Sequence, residues 1–551
     1  MKRMENMKHF IKLLSVLALM ALAGAACSGG KGQEDADADA DESIDMPLDE
    51  SAAGDPDADA EADDVRPDAD AEDDEGGIPE ICDNGVDDDG NGLADCLDPA
   101  CALDPSCPAW CEAAPGSRCY YVDAARGDDG NDGSFEDPWR TYLNAVVYYG
   151  TPGENGSTPP PAGHVALQPG DAIYFFDGVY GATFNYSGRT EAFFVRGLDG
   201  DEDHPYRLAA YPGHHPTFTP TEDATAVHIL QSAWWIVEGI EVDGAWQNGV
   251  WVAESDHVVL RNLLIHDVDG VDNNNIAGLH ILGATNVELL DSVLHDNFDR
   301  TAEDTGGEPT ENSSNVVIFG GGFINLEGNH IYNTPETSED MHGACIKYKH
   351  MRSVDGGTFT VRGNRLEHCR FYSVATGSPD SLITGNLILD SATVTLKDLG
   401  GPTELRRIHV QYNTFVSTPA LRMDTEDGAP DPEDIAYDHN AVLDDAASYN
   451  QESAMVTISP YRSDAMFAVV TAPGVLTFES NCYGNPSAEP LFALFAAGGS
   501  WGDAGDLYTF AEWQALGYDE SSHAVDPAFD ADHAPTATEC LDTGHTRAPS
   551  P

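Results

Sequence analysis

Basic residues are the scarcest feature of this 551-residue chain: 26 Lys and Arg stand against 96 Asp and Glu, for a formal charge of −70. A phosphate backbone is held by a broad basic surface, so nucleic acid is excluded as a partner and any contact with a polyanion must be local. Long apolar runs are nearly missing as well. The only one lies at the N-terminus, which excludes a protein that crosses a membrane several times. Beyond Lys31 the only lysines are Lys347, Lys349 and Lys397.

The N-terminal run has the order of an export signal over residues 1–26. Lys2, Arg3, Lys8 and Lys12 form its basic part, Leu13 to Leu22 its apolar part, and Ala23, Gly24 and Ala25 its small residues. The stretch from Leu22 through Ala26 to Cys27 resembles the cleavage box of bacterial lipoproteins, which implies acylation of Cys27. Cysteine parity agrees, because removing Cys27 from the 11 cysteines leaves an even number that can pair in an oxidising compartment. The expected location is the outer membrane or cell surface, with a lipid anchor as the membrane contact; ordinary cleavage would give a secreted protein. Residues 34–75 hold 21 acidic side chains and few apolar ones. Such a segment cannot bury enough surface to offset its ordering entropy, so 27–78 is read as a disordered acidic linker.

Six cysteines, Cys82, Cys96, Cys101, Cys107, Cys111 and Cys119, then crowd together where an apolar core cannot form, and disulfides must replace it. Taking Asp87 as the first position of a calcium loop puts oxygen donors on Asp87, Asp89, Asn91, Asp95 and Asp98, with the Leu93 carbonyl between them and Gly92 at the sharp turn. Residues 79–117 are therefore expected to be a Cys-rich calcium-binding module. The segment Cys82 to Cys101 also resembles a short Cys/Asp metal-binding motif of surface proteins from myxobacteria and their relatives, which implies extracellular calcium and a stalk-like role.

From Tyr120 onward a unit recurs: strand, turn, strand, Asn, apolar strand. It is read at Asn262, Ser292, Asn329, Asn364 and Asn386, and more weakly before Asn413, Asn440 and Asn481, at intervals of 30, 37, 35, 22, 27, 27 and 41 residues. Each interval is one turn of a coil, and Asn suits the bend because it tolerates left-handed backbone and can hydrogen-bond to its equivalents in a ladder. The pattern resembles the right-handed parallel β-helix of pectate-lyase-like proteins over 118–545. Tyr120 to Arg140 looks like the opening strand, an apolar stretch from Thr141 to Tyr149 like a capping helix, and Trp513 to Phe529 like the closing tail. The fold class is all-β. Cys345 and Cys369 lie 24 residues apart, about one coil, and are expected to bond. Cys482 and Cys540 remain to staple the closing tail.

Six basic residues, Lys347, Lys349, Arg352, Arg362, Arg365 and Arg370, fall within 24 residues of this acidic chain. Aligning Ile346 with inward Val252 and Ile281 turns Lys347 outward by period-two alternation, and the same logic turns Lys397 and Arg422 outward beside Lys349. A basic stripe along stacked coils suits an anionic polysaccharide, with Lys349, Lys397 and Arg422 as binding groups. The order of acid, lysine and arginine is similar to the chondroitinase-B and alginate-lyase branch of β-helix enzymes. That resemblance implies calcium on Glu339 and Asp340, Lys347 as the base of a β-elimination, and Arg365 or Arg362 assisting proton transfer. The Glu-x-Glu pair of the branch is absent, and so are the Gly-His-Gly and Arg-x-Lys strings of polygalacturonase-type glycosidases. The competing class is a non-catalytic surface scaffold, adhesin or carbohydrate-binding protein. The loop acids Asp267, Asp269 and Asp272 are candidates for a second calcium, and His266 and His295 read as turn residues. The chain is expected to be a monomer.

Overall fold

A computed structural model describes residues 80–548, apart from 83, 91–93, 95, 97, 102–103, 105, 108, 149–156, 187–188, 271–275, 299–312, 335–342, 354–355, 398–404, 426–430, 448–453, 461–468, 470 and 495–505. The export signal, Cys27 and the acidic linker lie outside the described residues, as do Asn91, Leu93, Asp95, Asp272, Glu339, Asp340 and the insertion 299–311.

Alternating apolar residues in short runs, separated by two- or three-residue bends, wind the chain into stacked coils with three faces. One coil passes through Asn248–Ala253 on face C, Asp256–Arg261 on face A and Leu264–His266 on face B. The next repeats it with Ala277–Leu282, Thr285–Leu290 and Val293–His295, each paired in parallel with its predecessor. Among the described residues face B holds eleven strands, from Gly178–Tyr180 to Cys482–Gly484. The strand Ser314–Glu327 runs from face C into face A without a break. Inward side chains stack in files, such as Val250, Leu279, Val316 and Ile346 on face C and Leu260, Leu289, Leu326 and Val361 on face A. All of these are fully buried.

The bend between faces A and B carries the ladder. Each Asn side-chain oxygen accepts from the backbone N–H and the carboxamide of the Asn one coil earlier, from Asn329 through Asn364, Asn386, Asn413 and Asn440 to Asn481, at 2.9–3.2 Å. The left-handed backbone falls one residue earlier than the sequence suggests, on Gly328, Gly363, Gly385, Tyr412, His439 and Ser480. Ladder asparagines are therefore selected for hydrogen bonding, not for backbone freedom. Asn262 is itself at φ 52°, and Leu263 occupies the ladder position of its coil.

Both ends are closed. In place of the expected helix over 141–149, the described residues hold a single 3-10 turn, Tyr142–Asn144, capped by the Thr141 hydroxyl. Its run of Val and Tyr is better suited to packing than to helix, and Tyr142 stacks flat on Phe218 at 5.4 Å. At the far end Leu491–Leu494 pairs antiparallel with Asp506–Thr509, and a capping box of Thr509 and Glu512 starts the helix Phe510–Ala515. Buried Trp513 stacks on Phe492 at 5.2 Å, so the last apolar coil does not face water. Disulfides join Cys82 to Cys101, Cys96 to Cys107, Cys111 to Cys119, Cys345 to Cys369 and Cys482 to Cys540.

Candidate functional site

The outer side of face C concentrates aromatic, imidazole and ammonium groups. Because Val250 and Val252 point inward, Trp251 points outward, and the parallel register puts His228 before it and His280 after it. The rings stack: His228 on Trp251 at 4.3 Å and 6°, Trp251 on His280 at 5.6 Å and 12°, His280 against Phe319 at 5.1 Å. Lys349 then lays its Nζ over the Phe319 ring at 4.6 Å. The result is one file across five successive strands, spaced at the ~4.8 Å strand repeat.

Hydrogen bonds orient two of its members. Glu191 Oε2 lies 3.2 Å from His228 Nδ1, and Asn248 Oδ1 lies 3.0 Å from His280 Nδ1. The opposite ring nitrogens of both histidines and the Trp251 indole nitrogen have no hydrogen-bond partner among the described residues. Burial, followed by the charges of Lys349 and His228, pushes His280 down to about 4, so it is neutral at physiological pH. Burial also lowers Lys349.

Lys347 shares this face, in register with Val317 and Ala375, as alternation requires. Its side chain is nevertheless only 3% exposed, and Val317 and Ala375 beside it are buried too, so this part of the face is not open surface. Ile346 aligns with Val316 and Leu279 and not with Ile281, a shift of two residues that leaves the face unchanged. Lys397 donates to the Tyr372 hydroxyl at 3.2 Å, and Arg422 Nε reaches both oxygens of Asp424 at 3.0 and 2.9 Å. Arg422 is thereby neutralised by its carboxylate.

The arginines expected beside Lys347 lie elsewhere. Arg362 ends the face A strand Phe359–Arg362, and Arg365 starts the face B strand Arg365–Glu367, where it pairs with Glu367. Successive strands of one coil occupy different faces, so closeness in sequence did not bring these side chains to Lys347. His228, Trp251 and His280 were missed, although their signal is legible: Val227-His-Ile, Val250-Trp-Val and Leu279-His-Ile repeat one apolar-ring-apolar triplet.

Face B holds a second cluster. His266 and His295 lie on strands, not turns, and stack at 5.1 Å, with Tyr332 next at 4.6 Å. Burial alone would lower His266, but the hydrogen bonds its ring donates to Asp267 and Glu241 and the charge of Asp243 outweigh it and raise the imidazole to about 10. Asp243, His266 and Asp267 bring ligand atoms within 4.8 Å of one another. A metal would need that imidazole neutral, which the surrounding carboxylates oppose. Asp269 accepts from the Gly270 N–H at 2.7 Å.

In the Cys-rich module, Asp87 and Asp89 gather with Glu80, which the loop spacing did not include. Asp87 Oδ1 accepts from the Gly90 N–H at 2.8 Å. Asp98 is buried and caps the turn Pro99–Cys101 by accepting from the Ala100 N–H at 2.7 Å.

A family model described as "Right handed beta helix region" matches residues 225–415. The body is a right-handed parallel β-helix. No curated protein matches the chain. Among solved structures, this β-helix is similar to pectate lyase Pel9A at 15% identity and TM-score 0.41, over 67% of this chain and 81% of that one. It is similar to the GH136 lacto-N-biosidase from Eubacterium ramulus at 14% identity and TM-score 0.41, over 74% and 68%. It is also similar to PfbA, a surface adhesin of Streptococcus pneumoniae, at 12% identity and TM-score 0.36, over 59% and 81%.

Proposed function

We propose that the protein is an exported, lipid-anchored β-helix whose face C binds an anionic extracellular polysaccharide along the coil axis. The stacked file from His228 to Lys349 carries this reading. It sets the edges of stacked rings and an ammonium group in line on a molecule of charge −70, where cations are otherwise sparse. Sugar C–H groups can pack along this apolar ring file, while Lys349, with Lys397 on the same face, attracts carboxylates.

Retention of the full-length protein on immobilised alginate, chondroitin sulfate and pectate tests the proposal. At least one should retain it, and Lys349→Ala with Trp251→Ala should each weaken binding about tenfold or more. Because burial lowers Lys349, and only its protonated form attracts a carboxylate, retention should fall as pH rises through that depressed value. Retention by none of the polymers, or retention indifferent to both substitutions, would sink the idea.

Cleavage by β-elimination is a second reading, favoured by the lowered Lys349, since a neutral amine is the base that reaction needs. New ultraviolet absorbance from an unsaturated uronide, lost in Lys349→Ala, supports it; retention without product leaves binding alone. Glu339 and Asp340 would hold an assisting calcium in that case. Lys347, Arg362 and Arg365 lie on three different faces, which favours Lys349 over that set as the base.

For the Cys-rich module we propose calcium held by Asp87, Asp89, Asn91, Leu93, Asp95 and Asp98, joined by Glu80. Calorimetric titration of the full chain with calcium should show a site that Asp87→Asn weakens about tenfold. No heat at millimolar calcium would refute it.

A further inference from the structure

Face A carries a cavity of about 470 Å³ on its outer side, spanning the strands from Ala233–Glu238 to Phe359–Arg362 and sharing no residue with the face C file. Its size falls within the range of small-molecule sites. One edge is a file of residues with left-handed backbone: Trp234 at φ 61°, His257 at 53°, Asn286 at 53° and Phe323 at 58°. A bulky side chain at positive φ is uncommon, and the scaffold does not call for one. In three later coils the same position holds Asp380, Arg407 and Asp434, also at positive φ, and Arg407 pairs with Asp380. Among the described residues, aromatic rings take this position only over the cavity.

Those rings are presented, not packed away. Trp234 stacks on His257 at 4.0 Å and 11°, and Phe323 is 45% exposed. Besides His257, the polar lining holds Glu202, Glu288, Asn286, Asn325, Thr358 and Thr360, with no lysine or arginine among the lining residues. A uronate would bring its carboxylate against two glutamates, whereas hydroxyl groups can donate to them and to the amide oxygens.

We propose that this cavity binds a neutral oligosaccharide, with Trp234 and Phe323 packing on pyranose C–H faces and Glu202 and Glu288 accepting ring hydroxyls. The site is independent of face C and has the opposite charge preference. Calorimetric titration of full-length protein with cellotetraose, maltotetraose, mannotetraose and xylotetraose tests it, with trigalacturonate as the charged control. At least one neutral tetrasaccharide should bind, and Phe323→Asn, a residue that tolerates left-handed backbone, should weaken it about tenfold. Glu288→Gln, which keeps the shape and loses the charge, should weaken it as well. The proposal is overturned if no neutral tetrasaccharide binds at millimolar concentration, if binding survives both substitutions, or if trigalacturonate binds as tightly.

Discussion

Asn413→Ala should lower the stability of the β-helix by on the order of 4 kcal/mol, among the largest effects of any single polar substitution in the chain. Asn413 is fully buried in the middle of the ladder. Its carboxamide donates to the Ile383 carbonyl at 3.0 Å and to Asn440 Oδ1 at 3.1 Å, while its oxygen accepts from the Asn386 N–H and carboxamide at 3.0 and 2.9 Å. Alanine leaves two donors of Asn386 and the Ile383 carbonyl without partners, each in a place water does not reach. Every buried unsatisfied group costs about 1–3 kcal/mol, and the truncated side chain adds a small void. Chemical denaturation followed by circular dichroism is the measurement. A loss below about 1 kcal/mol would show that the ladder is dispensable.

The second large effect is expected at Asp519, where the closing tail terminates that ladder. Its carboxylate is fully buried and accepts from Asn481 Nδ2 at 3.0 Å, Ser522 Oγ at 2.5 Å and Trp513 Nε1 at 2.9 Å, with the Tyr483 hydroxyl at 3.2 Å. Asp519→Asn turns one acceptor into a donor facing other donors, so a loss of about 2–3 kcal/mol is expected. Burial raises Asp519 despite the four hydrogen bonds that oppose it. Because the folded value lies above the unfolded one, the fold favours the protonated form. Stability is therefore lost as pH rises through the window between the unfolded carboxylate value and the raised folded one. Asparagine does not titrate, so the gap between wild type and Asp519→Asn should be widest in acid and narrow towards neutral pH. A gap that widens instead would mean that the hydrogen bonds outweigh burial at this carboxyl.

Much of the architecture was legible because a coil repeats its burial pattern locally. Alternation in three-to-six-residue runs turns Lys347, Lys397 and Arg422 outward whatever the exact register, since a slip of two residues, as at Ile346, preserves the face. The spaced asparagines revealed the period, although the left-handed residue precedes each one. What could not be read was which face a residue occupies relative to a neighbour in sequence. Arg365 follows Lys347 within one coil, yet a bend separates them onto different faces, whereas His228, Trp251 and His280 lie a whole coil apart and touch.

By itself the sequence determined the alternation, the repeat and the scarcity of cations, because these are properties of consecutive side chains and of composition. Only the tertiary structure decided which groups meet: the ring file ending at Lys349, the burial of Lys347 and the separation of the arginines. The physical reason is that contacts in a coil form between residues about one turn apart, and insertions make each turn a different length.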